Sequence, residues 1–296
     1  MRTLALATAF MLALAAPARA EVDWEQVGQV FGREIAEQPG GVRKLSLPRS
    51  DLEVTVDGVA IKPALALGSW LAFHPMDGDE TVAMGDLVLT EDELSPVMRI
   101  LAEHGIDVTG IHNHLLRAKP AVVYLHVAGH GDPVELAEAF RLALEQSKTP
   151  VAFTPSPTGA EEQGPQLDAA ALDRVLGHEG KAASGGVHQF SIPRAEPVTD
   201  GGMQVPPSMG TAIAINFQPL DGGKAAATGD FVLTAAEVNP VLRTLRGHGI
   251  EATALHNHML HEEPRLFFMH FWGVDEAGKL AEGLRAALGK VNVAKS

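Results

Sequence analysis

Apolar positions along the chain switch between helical and alternating spacing, and each switch marks an element. Behind Asp23, the residues Trp24, Val27, Phe31 and Ile35 recur near helical spacing, which predicts an Asp23-capped helix ended by Pro39-Gly40-Gly41. Residues 44–47, 70–74 and 81–89 are short β-favouring runs, and the last two are joined by Pro75-Met76-Asp77-Gly78, which has hairpin-turn chemistry. Thr90-Glu91-Asp92-Glu93 is a capping box: the threonine hydroxyl accepts from the third helical amide and Glu93 reaches back to the cap amide. The helix it starts is expected to run to His104, where Gly105 stops it. Two strands are expected over residues 109–116 and 121–128, across the turn Arg117-Ala118-Lys119-Pro120. Asp132 then caps a last helix, 134–146, with Leu136, Phe140 and Leu144 on one face.

This pattern is written twice. Gly85-Asp86-Leu87-Val88-Leu89-Thr90 returns 144 positions later as Gly229-Asp230-Phe231-Val232-Leu233-Thr234, and His104-Gly105-Ile106 as His248-Gly249-Ile250. Upstream the offset is 145: Gly40-Gly41-Val42 aligns with Gly185-Gly186-Val187, and Ser46-Leu47-Pro48-Arg49 with Ser191-Ile192-Pro193-Arg194. The repeats are placed at 21–149 and 167–296, and the stretch 150–166, rich in Pro, Gly, Thr and Glu, reads as a linker. The expected fold is α+β: two like domains, each helix, three strands, helix, two strands, helix, packed about a pseudo-twofold axis.

Composition narrows what such a protein can do. Its 296 residues carry a net charge of −14, which argues against a nucleic-acid surface or an anionic membrane, since phosphate binding is driven by Lys and Arg. Met1-Arg2, an apolar run from Leu4 to Ala16, and Ala18-Arg19-Ala20 before Glu21 make the three-part pattern of a secretory signal peptide over 1–20. Without a cysteine there is no lipid-anchored cysteine, no disulfide framework and no thiolate chemistry. A periplasmic or secreted protein without a membrane anchor is therefore expected.

The chemistry sits in the duplicated histidines. Ile111-His112-Asn113-His114 returns as Leu255-His256-Asn257-His258, and twelve residues past the second histidine of each copy stands a third, His126 or His270. Side chains alternate across a strand, so His112 and His114 share a face. If the strands pair about residue 119, His126 lies opposite His112 and Tyr124 opposite His114. The other face, with Ile111, Leu115, Val123, Leu125 and Val127, is expected to pack on helices. Three convergent imidazoles on a β-hairpin suit a divalent metal: zinc, or copper or nickel. The competing reading is a polar strand face hydrogen-bonded between the repeats. Further ligands could come from His74, His130, Asp86 and Glu93, or from His261, Asp230 and Glu237. The capping box already accounts for Glu93, and a turn or bulge beside Gly85 would account for Asp86. In the second copy Gln218 replaces His74, Phe268 replaces Tyr124 and His261 replaces Arg117, so the first repeat is expected to hold the competent site.

Met84-Gly85-Asp86-Leu87-Val88-Leu89-Thr90, Glu93-Leu94, His112-Asn113-His114 and Tyr124-Leu125-His126 resemble the bacterial LppY/LpqO family, an envelope domain of unknown function noted among mycobacterial lipoproteins. The resemblance implies an envelope location but not the lipid anchor, for which the cysteine is missing. At the level of the hairpin alone, the histidines look like the zinc site of acetolactate decarboxylase. Three functions compete. The first is binding or handling of a divalent metal, with a metal ion or small molecule as partner. The second is a metal-dependent lyase or hydrolase using a metal-bound water, with Glu93, Asp86 or Tyr124 as its acid or base. The third is a non-catalytic cell-wall-binding module, which three Trp and one Tyr make poor at stacking on sugars.

Overall fold

The computed structural model describes residues 22–76, 80–151 and 164–295. The expected signal peptide and residues 152–163 of the expected linker lie outside the described residues. The first repeat runs α1 (Trp24–Val30), β1 (Ala36–Gln38), β2 (Val42–Pro48), β3 (Thr55–Val56), β4 (Val59–Ala60), α2 (Pro63–Ala66), β5 (Gly68–Pro75), β6 (Thr81–Thr90), α3 (Glu91–Glu103), β7 (Asp107–His112), β8 (Val122–Gly131) and α4 (Pro133–Leu144). The second runs α5 (Ala169–Leu176), β9 (Lys181–Ala182), β10 (His188–Pro193), β11 (Thr199–Asp200), β12 (Met203–Gln204), β13 (Ala212–Pro219), β14 (Lys224–Leu233), α6 (Ala235–Gly247), β15 (Glu251–His256), β16 (Phe267–Glu276) and α7 (Ala277–Leu288).

Each repeat builds one antiparallel sheet of matching order, β1-β2-β5-β6-β8-β7 and β9-β10-β13-β14-β16-β15. The α+β duplication is therefore as the sequence predicts, with an added edge strand and a small insertion (β3, β4, α2) in the first repeat and β11–β12 in the second. Strand alternation sorts the two faces. In the first sheet Leu45, Leu71, Phe73, Leu87, Leu125 and Val127 bury against Val97 and Leu101 of α3 and Leu136, Phe140 and Leu144 of α4. The opposite faces of the two sheets meet each other, so that Val88 and Tyr124 of one share a buried cluster with Ala226 and Trp272 of the other. The order of layers is helix, sheet, sheet, helix, and the interface between the sheets, into which the short α2 intrudes, is where the histidines lie.

The N-terminal helix stops at Val30, earlier than its apolar spacing suggests, because Gly32 takes a left-handed φ of 65°. Phe31 and Ile35 still reach the core, and Pro39-Gly40-Gly41 forms the turn between β1 and β2 instead of ending the helix. Ile111, expected against the helices, is 48% exposed at the end of its edge strand. Arg49, fully buried, ties β2 to the start of α3. All five of its N–H groups are used: on Asp51 (2.8 Å twice), on the Val88 carbonyl (2.6 Å) and on both oxygens of Glu93 (2.8 and 3.1 Å). Arg194 makes four corresponding bonds, to Val232, to Glu196 and to both oxygens of Glu237, while its Nε is buried without a partner.

Candidate metal centre

Local pairing places the first histidine pair. Asp86 on β6 pairs with His126 on β8, so these side chains emerge together on the interface face. Between Val108 and Gly110 the β7–β8 ladder carries a bulge, after which Gly110 faces His126 and His112 faces Tyr124. His112 thus stands two residues from its expected partner His126, yet parity survives: His112, Tyr124 and His126 share a face, with the His112 and His126 rings stacked at 4.7 Å. The second repeat copies this geometry, with Asp230 and Ala254 facing His270, His256 facing Phe268, and the bulge between Ala252 and Ala254.

His112 ends β7, so His114 is not a strand residue, and the chain beyond it crosses to the other repeat. The crossing is fixed by bonds between the two histidine loops. Thr109 donates to the His258 carbonyl, Thr253 donates to the His114 carbonyl, and the Asn257 amide donates to the Thr109 carbonyl at 3.0 Å. Gly110 makes the approach possible, because a Cβ there would stand 2.9 Å from the Asn257 carbonyl oxygen. His114 consequently lies against His270 and His258 against His126, both at 3.8 Å between ring centres, while His112 stacks on His256 at 3.4 Å. Tyr124 and Phe268 back the two crossing rings at 3.3 and 3.5 Å. The six histidines thus form a single cluster shared by both repeats. The first repeat, expected from the sequence to hold the competent site, supplies no complete set of three convergent imidazoles among the described residues; two such sets mix the repeats and one, His256, His258 and His270, lies wholly in the second.

The protons of this cluster can be placed. His270 Nδ1 lies 3.0 Å from the Gly229 carbonyl oxygen and His256 Nδ1 lies 3.1 Å from that of Asn257. A carbonyl oxygen only accepts, so each Nδ1 carries its hydrogen and each Nε2 of the neutral ring presents a lone pair. Those two Nε2 atoms are 2.9 Å apart. Two lone pairs at that distance repel, so the contact calls for a proton, which would make it an N–H···N hydrogen bond, or for a cation beside both nitrogens. Both nitrogens of His112 and the Nε2 atoms of His114, His126 and His258 are buried without a hydrogen-bond partner. Protonation is disfavoured throughout. Burial, followed by the neighbouring imidazole His256, pushes His112 down to about 2. Burial takes His256 to about 4 against a hydrogen bond that favours its charge. Burial first, then the other imidazoles, holds His114, His126, His258 and His270 well below the usual histidine range.

Three sets of imidazoles bring one nitrogen each within 4.8 Å: His112, His114 and His270; His112, His126 and His256; His256, His258 and His270. Asp86 approaches His114 and His126 at 3.7 and 3.9 Å and Asp230 approaches His258 at 3.8 Å, too far for hydrogen bonds. Burial, then the like charge of Asp230, raises the Asp86 carboxyl well above its ordinary value; burial raises Asp230 to about 7. The other sequence candidates are engaged elsewhere. Glu93 holds Arg49 and accepts from the amides of Thr90 and Lys148, so that it stays below the usual carboxylate range despite burial. Glu237 does the same for Arg194. Tyr124 donates to the Ala66 carbonyl at 2.8 Å, and burial followed by Asp86 raises its phenol. His74 meets the Gly40 carbonyl, exposed His130 pairs with Glu80, and His261 is exposed.

A cavity of about 450 Å³ opens beside the cluster, between the sheets. Asp86, Asp230, His114, His258 and His270 line it together with Lys44 and Trp70, two residues that periodicity alone did not single out. Their signal was parity: Lys44 and Trp70 alternate with core residues on β2 and β5, and so point to the interface.

The chain is thus a duplicated α+β protein whose facing sheets enclose a histidine cluster built from both halves. It belongs to the family described as Domain of Unknown Function (DUF1259), whose sequence model matches residues 25–146 and again residues 170–290. No curated protein matches the chain. Among solved structures, a trimeric bacterial microcompartment shell protein, PduB, is similar at 12% identity and a TM-score of 0.21, over 87% of this chain and 90% of that one. EtuB from Clostridium kluyveri is similar at 11% identity and a TM-score of 0.19, over 86% and 89%. At such scores neither likeness carries an inference about this protein.

Proposed function

We propose that this protein binds divalent metal through the shared histidine cluster, as a protein that holds or hands on the ion. The observation that carries the reading is the pair of His256 and His270 Nε2 lone pairs facing each other at 2.9 Å with both Nδ1 hydrogens committed to carbonyls. Two nitrogens at a metal–nitrogen distance of about 2.0–2.1 Å stand about 2.9 Å apart at a right angle and about 3.4 Å apart at the tetrahedral angle, so the pair is already spaced for one ion. Neutral imidazoles suit zinc first and copper or nickel next. The overlapping sets of three leave room for one or two ions, with Asp86 and Asp230 placed to complete a coordination shell.

Metal content of untagged protein, measured by plasma mass spectrometry, tests this reading. About one or two equivalents of a single metal are expected, lost in the His112→Ala/His114→Ala variant. Absence of metal after reconstitution with zinc, copper and nickel would overturn it. The basic, apolar and small-residue sequence at the N-terminus supports export, and with it the narrower kinship to the LppY/LpqO family. N-terminal sequencing of the protein recovered from the periplasm should begin at Glu21.

A second reading, a metal-dependent lyase or hydrolase, draws on the cavity, which sets Asp86 and Asp230 beside an open space of small-molecule size. Turnover by the zinc-loaded protein that disappears in Asp86→Asn would favour it over storage or delivery.

A further inference from the structure

We infer that the cavity beside the histidine cluster binds a small monocarboxylate, with its charge seated on Lys44. This deepens the metal reading by giving the same site an organic ligand, and it rests on that reading only for what the far end of the ligand meets.

The inference starts from a difference between the halves. The Lys44 ammonium donates to the Ser208 carbonyl at 2.9 Å and lies 4.0 Å over the Trp70 ring. By strand register the equivalent position in the second repeat is Gln189, since Lys44 faces Ala72 and Gln189 faces Asn216. Gln189 donates its amide to the Ala64 carbonyl at 2.7 Å. Ala64 and Ser208 are themselves equivalent, so both side chains tie down the crossing segment of the opposite repeat. A neutral amide performs that task in one half. The charge on Lys44 is therefore more than the packing requires, and it costs desolvation: burial lowers Lys44 to about 8, against the attraction of Asp86. Trp70 departs in the same way, because its counterpart across the pseudo-symmetry is Ala214. The two unmatched residues touch one another, and both line the cavity.

What this end can hold follows from its surroundings. Lys44 is the one Lys or Arg among the lining residues and stands with Asp86 and Asp230, so a dianion such as a phosphate monoester is opposed more strongly than a single carboxylate, whose charge Lys44 can meet directly. Trp70, Pro63, Ala66 and Pro207 provide apolar walls for an organic body. Gly210, with a left-handed φ of 96°, lets the chain pass close to both Trp70 and His258: a Cβ there would meet the Trp70 ring at 3.3 Å and His258 Nδ1 at 3.5 Å. The cation end thus runs directly into the end where His114 and His258 hold unpartnered nitrogens. A volume of about 450 Å³ suits a ligand of small-molecule size.

Isothermal titration with benzoate and 3-phenylpropanoate, each against its own carboxamide, tests the inference on apo and zinc-loaded protein. At least a tenfold preference for carboxylate over amide is expected, abolished in Lys44→Gln, which copies the second repeat, and retained in Lys44→Arg. Zinc stoichiometry and melting temperature should be unchanged in both variants. Equal binding of acid and amide, binding of neither, or a preference that survives Lys44→Gln would overturn it. Zinc titration of the same samples reports on the metal reading separately: a carboxylate preference without zinc binding would keep this inference and remove that one.

Discussion

Two buried polar clusters in this protein obey opposite rules. Around Arg49 every N–H has an acceptor and Glu93 accepts four hydrogen bonds, so the cluster is closed. Around His112 and His256, a few strands away, ring nitrogens are buried without partners and lone pairs face one another. Unsatisfied buried groups are costly, and a fold able to satisfy Arg49 completely could also have satisfied its histidines. The contrast separates scaffold from candidate site: Glu93 is a closed part of the scaffold, whereas Asp86, His112, His114, His126 and His258 hold buried polar atoms without partners, atoms to which the proposed metal gives partners.

The sharpest way to break this comparison is to cut each cluster and read both stability and metal. Glu93→Ala leaves the Arg49 charge buried, and should cost about 3–5 kcal/mol in urea unfolding while metal stoichiometry is retained in the folded fraction. A cost under about 1 kcal/mol would remove the contrast. Next in size, His270→Ala should lower zinc affinity by at least about a hundredfold, and His114→Ala, in the other repeat, by a similar factor. Because both serve one cluster, the double variant should lose less than the sum of the two single losses; strict additivity in a competition titration would mean independent sites.

A smaller effect is expected from pH in the apo protein. His256 is held at about 4 against an ordinary 6.5, so between those values the unfolded chain binds protons that the folded one refuses, and stability falls as pH falls. Asp230, raised from 3.8 to about 7, works the other way, gaining as pH falls through the same interval. Six lowered imidazoles outweigh two raised carboxylates, so the melting temperature should be lower at pH 5 than at pH 7. An equal or higher value at pH 5 would contradict the placement of the protons. Smallest of all, His130→Ala should change stability by less than about 0.5 kcal/mol and leave metal binding alone, since that ring is exposed and paired with Glu80 at the surface.

Much of this architecture was legible in the sequence, because the duplication and the strand alternation are local patterns. The fold class, the capping boxes and the common face of His112 and His126 follow from spacing alone. The bulge at Thr109 was not legible, since a single extra residue leaves no mark on periodicity, and it shifts the β7–β8 register by one residue partway along the strand. Nor could spacing reveal that His114 leaves the strand and meets His270, for that contact depends on how two sheets lie across each other. In the sequence a turn or bulge beside Gly85 accounts for Asp86; its pairing with His126 on a central strand is what sets it at the site. Lys44 and Trp70 stood too far upstream for any motif to include them.

A symmetric site at the junction of two equal halves is what a homodimer would build, with every substitution appearing twice. Joining the halves in one chain changes two things. Assembly of the six imidazoles becomes intramolecular, so occupancy should be independent of protein concentration even when the protein is dilute. Each half is also released from copying the other. Lys44 can be charged while Gln189 stays neutral, and a centre with twofold geometry acquires a front and a back, which lets it receive a molecule whose own two ends differ.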